Sequence, residues 1–185
     1  MKHFAWLGLL LTACLFGCSD SHDHHGPERG RDPWVFRSVL DERARMVTLA
    51  LSPDMWAAYD AQNCALYKVW KDGVILDGPV YTTAHGPQPT SKGDAFNQGA
   101  YFAPWHLLRG ADTLSVNTSY KGHRFYGEHV RLQYEMTLKD GSVVSIQESP
   151  EYVVDKSGHP GYERTFYVSG QPSGTDLVLQ ANMDH

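Results

Sequence analysis

Apolar and polar residues alternate without a break in the run Val130-Arg131-Leu132-Gln133-Tyr134-Glu135-Met136-Thr137-Leu138. A pleated strand with one buried and one solvated face requires this period of two. The segment Lys139-Asp140-Gly141-Ser142 follows at once, and its Asp-Gly pair accepts the positive φ of a tight hairpin. Residues 143–147 then supply the return strand. The same pattern predicts strands over 45–51, 55–59, 65–70, 74–76, 80–83, 152–154, 162–168 and 177–181. Asp72-Gly73, Asp77-Gly78, Ser149-Pro150 and the stretch from Gly158 to Gly161 read as the turns and loops between them. No segment sustains a helical period over ten residues. About eight to ten antiparallel strands imply an all-β fold, an antiparallel β-sandwich, with a closed barrel of the same strand count as the alternative.

The first residues follow a different pattern. Lys2 gives a short positive end, Phe4 to Leu15 is a continuous apolar run, and small residues beside cysteines close it, which is the layout of a secretory signal. The run is too short for a spanning helix, which needs about 20 apolar residues. Leu15-Phe16-Gly17-Cys18 resembles the bacterial lipobox, so 1–17 is expected to be a lipoprotein signal peptide and Cys18 the lipid anchor. Leu11-Thr12-Ala13-Cys14 offers a second match to the motif, and an ordinary cleaved signal with two incidental cysteines is the alternative to a lipoprotein. Acyl chains contribute about 0.8 kcal/mol per buried CH₂, enough for two or three together to hold a domain on a membrane surface. Ser19 after Cys18 favours the outer membrane, or else the periplasmic face of a bacterial membrane.

Residues 18–31 are rich in His, Asp, Gly and Pro and read as a flexible tether. His22, His24 and His25, with Asp20 and Asp23, could chelate zinc, nickel or copper, although a solvated linker accounts for them equally simply. The remaining chain, 32–185, is the β-sandwich domain. Of 185 residues 42% are hydrophobic and 12% aromatic, which is ample for a core. Sixteen Lys+Arg against 21 Asp+Glu leave a formal net charge of −5, so nucleic acid is a poor partner. Cys64 is the one cysteine beyond the anchor region and reads as a small core residue rather than a reactive thiol.

Binding candidates come from the long loop-like stretch 83–111 and from the aromatics. His85 and Gln88 lie beside Pro87 and Pro89, which would hold an extended, donor-rich edge. The alternative for this stretch is an ordered cover over one end of the sandwich, with Phe102 and Trp105 plugging the core. Trp56, Trp70 and Trp105 are flat surfaces suited to stacking on sugar rings, and they are equally well suited to a core. Tyr120-Lys121-Gly122-His123-Arg124-Phe125 sets an imidazole and a guanidinium beside an aromatic. The candidate ligand-binding set is therefore Trp56, Trp70, His85, Gln88, Trp105, His123 and Arg124.

Catalytic signatures are absent from the sequence: no Gly-rich phosphate loop, nucleophile elbow, metalloprotease helix or Cys-x-x-Cys-His haem attachment occurs. Cys64 has no His and Met spaced for a copper site. Asp60, Asp72, Asp94, Glu128, Glu148, Glu151 and Glu163 are all conceivable acids, and His85, His106, His123 and His129 conceivable bases, but spacing selects no pair. No cofactor is expected.

The runs Asp32 to Asp41, Arg45 to Leu51, Ala65 to Lys71 and Val80 to Ser91 resemble a β-rich N-terminal domain of large bacterial extracytoplasmic c-type cytochromes and sorbosone-dehydrogenase-like proteins. Tyr120 to Phe125 and Gly161 to Val168 continue the match. Those proteins carry haem motifs, and often a propeller, that this sequence lacks, so the resemblance implies an accessory module and transfers no active site. Strand arrangement is loosely similar to the galactose-mutarotase sandwich, a fold-level analogy only. The expectation is a membrane-anchored, non-catalytic module recognising a carbohydrate-like ligand. The alternatives are a docking module for a cytochrome or quinoprotein partner, or a sugar-modifying enzyme such as an epimerase.

Overall fold

The computed structural model describes residues 33–99 and 102–181; the segments read above as a signal peptide (1–17) and a tether (18–31), with Cys14 and Cys18, lie outside them. The described residues contain no helix, and so none long and apolar enough to cross a membrane. Fourteen strands follow in order: β1 (Trp34–Leu40), β2 (Arg43–Ser52), β3 (Met55–Asp60), β4 (Ala65–Trp70), β5 (Val74–Ile75), β6 (Thr90–Ser91), β7 (Ala95–Gln98), β8 (Trp105–Arg109), β9 (Asp112–Thr113), β10 (Val116–Tyr126), β11 (His129–Leu138), β12 (Val143–Val154), β13 (Pro160–Ser169) and β14 (Asp176–Leu179). Two larger antiparallel sheets, β1-β2-β3-β4-β7 and β10-β11-β12-β13, face one another as a β-sandwich. A three-stranded sheet, β14-β8-β9, adds Trp105 and Leu107 to the same core.

The alternation in β11 does what its period requires. Val130, Leu132, Tyr134 and Met136 are buried inside the sandwich while Arg131, Gln133 and Glu135 face out. They meet Val47, Leu49, Ala57, Tyr59 and Val69 from the opposite sheet. Asp140-Gly141 makes the expected hairpin turn, with Gly141 at φ 86°. β12 departs from the sequence expectation by running straight through Ser149-Pro150, which is no turn. Its register with β11 ends at Glu148, so Pro150 sits where no β11 partner needs an N–H, and β13 continues alongside with Arg164 opposite Pro150.

Sheet β1-β2-β3-β4-β7 is covered on both faces, which explains the uninterrupted burial of Met46 to Ala50. Its outer face forms a second core from Leu40, Met46, Ala50, Trp56, Ala58, Tyr67 and Trp70. The segment 71–94 is its lid. That segment is tied down where the Val39 N–H donates to the Val80 carbonyl at 2.9 Å and the Asp41 N–H to the Pro89 carbonyl at 3.0 Å. Gly78 passes so close to Pro87 that a Cβ would lie 2.4 Å from its carbonyl oxygen, so a side chain there would force the lid open. The expected strand at 80–83 is absent, because Val80 makes one isolated bond to β1 and forms no ladder.

Strand β1 ends in a hairpin whose two loop residues, Asp41 and Glu42, have φ of 49° and 64°. Two-residue hairpins need positive φ at both positions, and Asp tolerates it through local bonding of its side chain. A bulge in β10 at Lys121 shifts the register between Tyr120 and Gly122, where φ is 127°. Tyr120 and His123 therefore share the inner face, and Arg124 is turned to the outer one.

Candidate functional site

Glu148 is a carboxylate at a position where the β12 alternation Val144, Ile146, Glu148 calls for an apolar residue, and it is fully buried. Burying a charge is costly unless it is paired and hydrogen-bonded. Each oxygen of Glu148 is in fact occupied. Oε1 accepts from Tyr59 Oη at 2.5 Å and from Arg164 Nε at 2.6 Å, and Oε2 accepts from Tyr134 Oη at 3.2 Å. The hydroxyl of Tyr162 is hydrogen-bonded to that of Tyr59. Four strands thus meet at one knot: β3 brings Tyr59, β11 Tyr134, β12 Glu148, and β13 both Tyr162 and Arg164.

The electrostatics follow from the geometry. Burial raises the pKa of Tyr59 and of Tyr134 well above the ordinary phenol value, and the Glu148 charge raises both further. The Tyr162 phenol is pushed up by the same two causes in the same order. Burial alone would lower the Arg164 pKa, but the charge and hydrogen bond of Glu148, with Tyr59 and Tyr162 beside it, together outweigh burial and hold the guanidinium protonated. The knot is a fixed ion pair wrapped in neutral phenols.

Two members of the knot reach the surface. Tyr162 and Arg164 form part of the wall of an open cleft of about 400 Å³ between the β4/β7 edge of one sheet and β13, with the end of β14 beside it. Leu66, Val69, Phe96, Phe102 and Leu179 give it apolar walls, and Asn97 and Gln180 add amides. Phe96 is 49% exposed. A mostly apolar concavity with a few convergent polar groups is the usual form of a small-molecule site.

The seven residues singled out from the sequence are not gathered in one place. Trp56 and Trp70 stack with ring centroids 6.3 Å apart in the core beneath the lid, where Trp70 Nε1 donates to the Gly73 carbonyl at 2.7 Å. Trp105 is 5% exposed in the sandwich core, its Nε1 donating to the Cys64 carbonyl at 2.9 Å. All three rings therefore pack inside instead of presenting an open face. His85 is exposed and Gln88 half-buried on the lid. The stretch from Thr83 onward is not one loop: it holds β6, β7 and β8, and its first part covers the outer face of a sheet rather than an end of the sandwich. Phe102 lies on the cleft wall while Trp105 fills the core.

His123 is half-buried on the inner face of β10, with Nδ1 3.3 Å from Tyr120 Oη and the Phe125 ring edge-on at 5.8 Å. Burial and the Arg37 charge both lower its pKa. Arg124 lies on the opposite, solvent-facing side, across from Arg131, whose guanidinium stacks between the Tyr126 and Tyr167 rings at 4.4 and 4.6 Å. Adjacent in sequence, His123 and Arg124 cannot act on one ligand.

Sequence spacing did not select Tyr162, Arg164 or the Glu148 partnership. The usable signal was parity. Extending the β12 alternation by one step beyond Gln147 puts Glu148 inside, and Tyr162, Arg164 and Phe166 keep the same parity on β13. Among the described residues no group of three or more His, Cys, Asp or Glu converges in a way that could hold a metal ion; His22, His24 and His25 lie outside them. No family model, curated protein or solved structure matches this chain.

Proposed function

We propose that this protein is a membrane-anchored, extracytoplasmic recognition module that binds a small ligand in the cleft between β4/β7 and β13, without chemistry of its own. The observation that carries the reading is the placement of Tyr162 and Arg164 in the cleft wall, Arg164 braced from behind by the buried Glu148 and Tyr162 tied to it through Tyr59. A buried ion pair is a weak source of stability compared with apolar packing of the same volume. Its value here is to hold a donor group and a phenol oxygen rigidly at the edge of an apolar cavity, which lowers the ordering cost of binding. Phe96 and Phe102 supply ring faces, and Asn97 and Gln180 supply amides, so a carbohydrate-like ligand with one apolar side is a suitable class to present first.

Titration of the purified domain against a panel of monosaccharides and glycosides with apolar aglycones, read by calorimetry and thermal shift, tests the reading. A true ligand at 100 times its Kd stabilises the fold by about 2.7 kcal/mol. Asn97→Trp, which fills the mouth from the half-buried position of the otherwise exposed edge strand β7, is expected to abolish the effect without lowering the unliganded melting temperature. Equal binding by wild type and Asn97→Trp would overturn the assignment of the cleft. The anchor is tested separately by palmitate labelling of the full chain, which Cys18→Ser should eliminate.

A further inference from the structure

Hydrogen-bond direction around Glu148 restricts the ligand further, given the cleft reading above. A phenol has one proton to donate, and a carboxylate only accepts. Tyr59 donates its proton to Glu148 Oε1. The bond between the two phenols must then be donated by Tyr162 to the oxygen of Tyr59. The relay therefore runs one way, from Tyr162 to Tyr59 to Glu148, and it leaves the Tyr162 oxygen able only to accept from any further partner. Arg164 is the complement. Its Nε–H is committed to Glu148, and the guanidinium's remaining groups are donors that cannot accept.

Charge narrows the choice again. Arg164 is the one charged side chain among the described residues lining the cleft, and its charge is already matched by Glu148 at 2.6 Å. An anionic head group would find one cation already paired, with the Glu148 carboxylate behind it and the Tyr162 lone pairs beside it. A cationic head group would meet Arg164 directly. Both would also leave water for a largely apolar cavity, at a desolvation cost with no full counter-charge in return.

We infer that the cleft selects a neutral ligand bearing a hydroxyl on an apolar body, the hydroxyl donating to Tyr162 Oη and accepting from the Arg164 guanidinium. A hydroxyl is the smallest neutral group that does both at one atom. The apolar body lies against Leu66, Val69, Phe102 and Leu179. A sugar hydroxyl with a hydrophobic aglycone and a simple amphiphilic alcohol share this chemistry.

The test uses three molecules with one body and three heads: 3-phenylpropanol, 3-phenylpropanoate and 3-phenylpropylamine, titrated at pH 7 into isotopically labelled protein and followed by NMR at the Arg164 side chain and neighbouring amides. The alcohol is expected to bind at least tenfold more tightly than either charged analogue. Tyr162→Phe should weaken the alcohol about tenfold, the loss of one hydrogen bond to a buried acceptor, and leave the carboxylate, which has no proton to donate, unchanged. The wild-type ranking decides the question even if that variant folds poorly. A carboxylate or amine that binds as well as the alcohol overturns the hydroxyl assignment and leaves the cleft reading intact. No saturable shift at the cleft with any of the three, together with no difference between wild type and Asn97→Trp, overturns both.

Discussion

Glu148 and Asp41 are carboxylates held by the same kinds of partner, a tyrosine hydroxyl and a basic side chain, at different depths. Glu148 is 1% exposed in its side chain and bonds Arg164 at 2.6 Å with Tyr59 and Tyr134 alongside. Asp41 is 21% exposed, accepts from Tyr67 Oη at 2.9 Å and from the Ser91 N–H and Oγ at 2.7 and 2.8 Å, and has Lys68 Nζ at 3.9 Å. Asp41 joins the β1–β2 turn to the lid at β6, where water can still reach it. Glu148 joins both sheets of the sandwich, where water cannot. The difference teaches that partners of the same kinds act as a clasp when solvent can replace them and as a framework for a binding wall when it cannot.

The largest expected effect breaks the deeper of the two. Glu148→Gln leaves Arg164 buried without its counter-charge and should cost about 3–5 kcal/mol in urea unfolding. Replacing both partners, Glu148→Leu with Arg164→Met, should recover part of that stability, the buried Tyr59 and Tyr134 hydroxyls losing their acceptor, while removing ligand binding. A double variant as unstable as Glu148→Gln would mean that the pair stabilises the fold rather than serving the cleft. Asp41→Ala should cost less, about 1–2 kcal/mol, because water can satisfy part of what is lost. Its signature is local: amide exchange across 78–92 should accelerate while the strands β11 and β12 stay protected.

Proton binding sharpens the contrast. Burial raises the Tyr67 phenol to about 12, helped by its bond to Asp41, and burial raises Tyr120 to about 12 against the opposing Arg37 charge. Each folded value lies above the unfolded one near 10.0, so the stabilising contribution is complete below pH 10 and is lost as pH rises toward 12. Tyrosinate absorbance should therefore appear together with unfolding on the alkaline side. Gradual ionisation of a fold that stays intact would contradict the buried phenol network.

Smaller effects are expected at the sandwich rim. Burial and Arg37 lower the His123 pKa from 6.5, so the unfolded chain binds its proton first, and the fold loses stability as pH falls below about 6.5 toward the folded value. His123→Gln should flatten that part of the acid profile, which thermal melts across pH 5 to 7 would reveal. Cys64 is pushed to about 12 by burial and by Asp60, so thiol reagents at pH 8 should label it only on unfolding. Rapid labelling of the native protein would place Cys64 outside the core.

How far the sequence was legible depended on whether one face or two were buried. β11 and its Asp-Gly hairpin are readable because one face is solvated and the alternation is clean. β2 and β3 were recognisable as strands, but burial on both faces erased the alternation that would have told which tryptophans point outward. β1 escaped the pattern because its turn places Asp41 and Glu42 at positive φ, where no glycine marks it. In β12, Ser149-Pro150 imitated a turn, and the inward-facing Glu148 fell just beyond the strand read from the sequence.

The sequence by itself determined the strand-rich fold class and the hairpin at Asp140-Gly141, since these rest on local periodicity and backbone preference, and it left sandwich and closed barrel as alternatives. The tertiary structure decided the lid over the outer sheet face, the burial of Trp56, Trp70 and Trp105, and the convergence of Tyr59, Tyr134, Glu148, Tyr162 and Arg164. Tyr59 and Glu148 are 89 residues apart. Periodicity assigns a residue to a face, but only the packing of one sheet on another decides which residues from distant strands meet there.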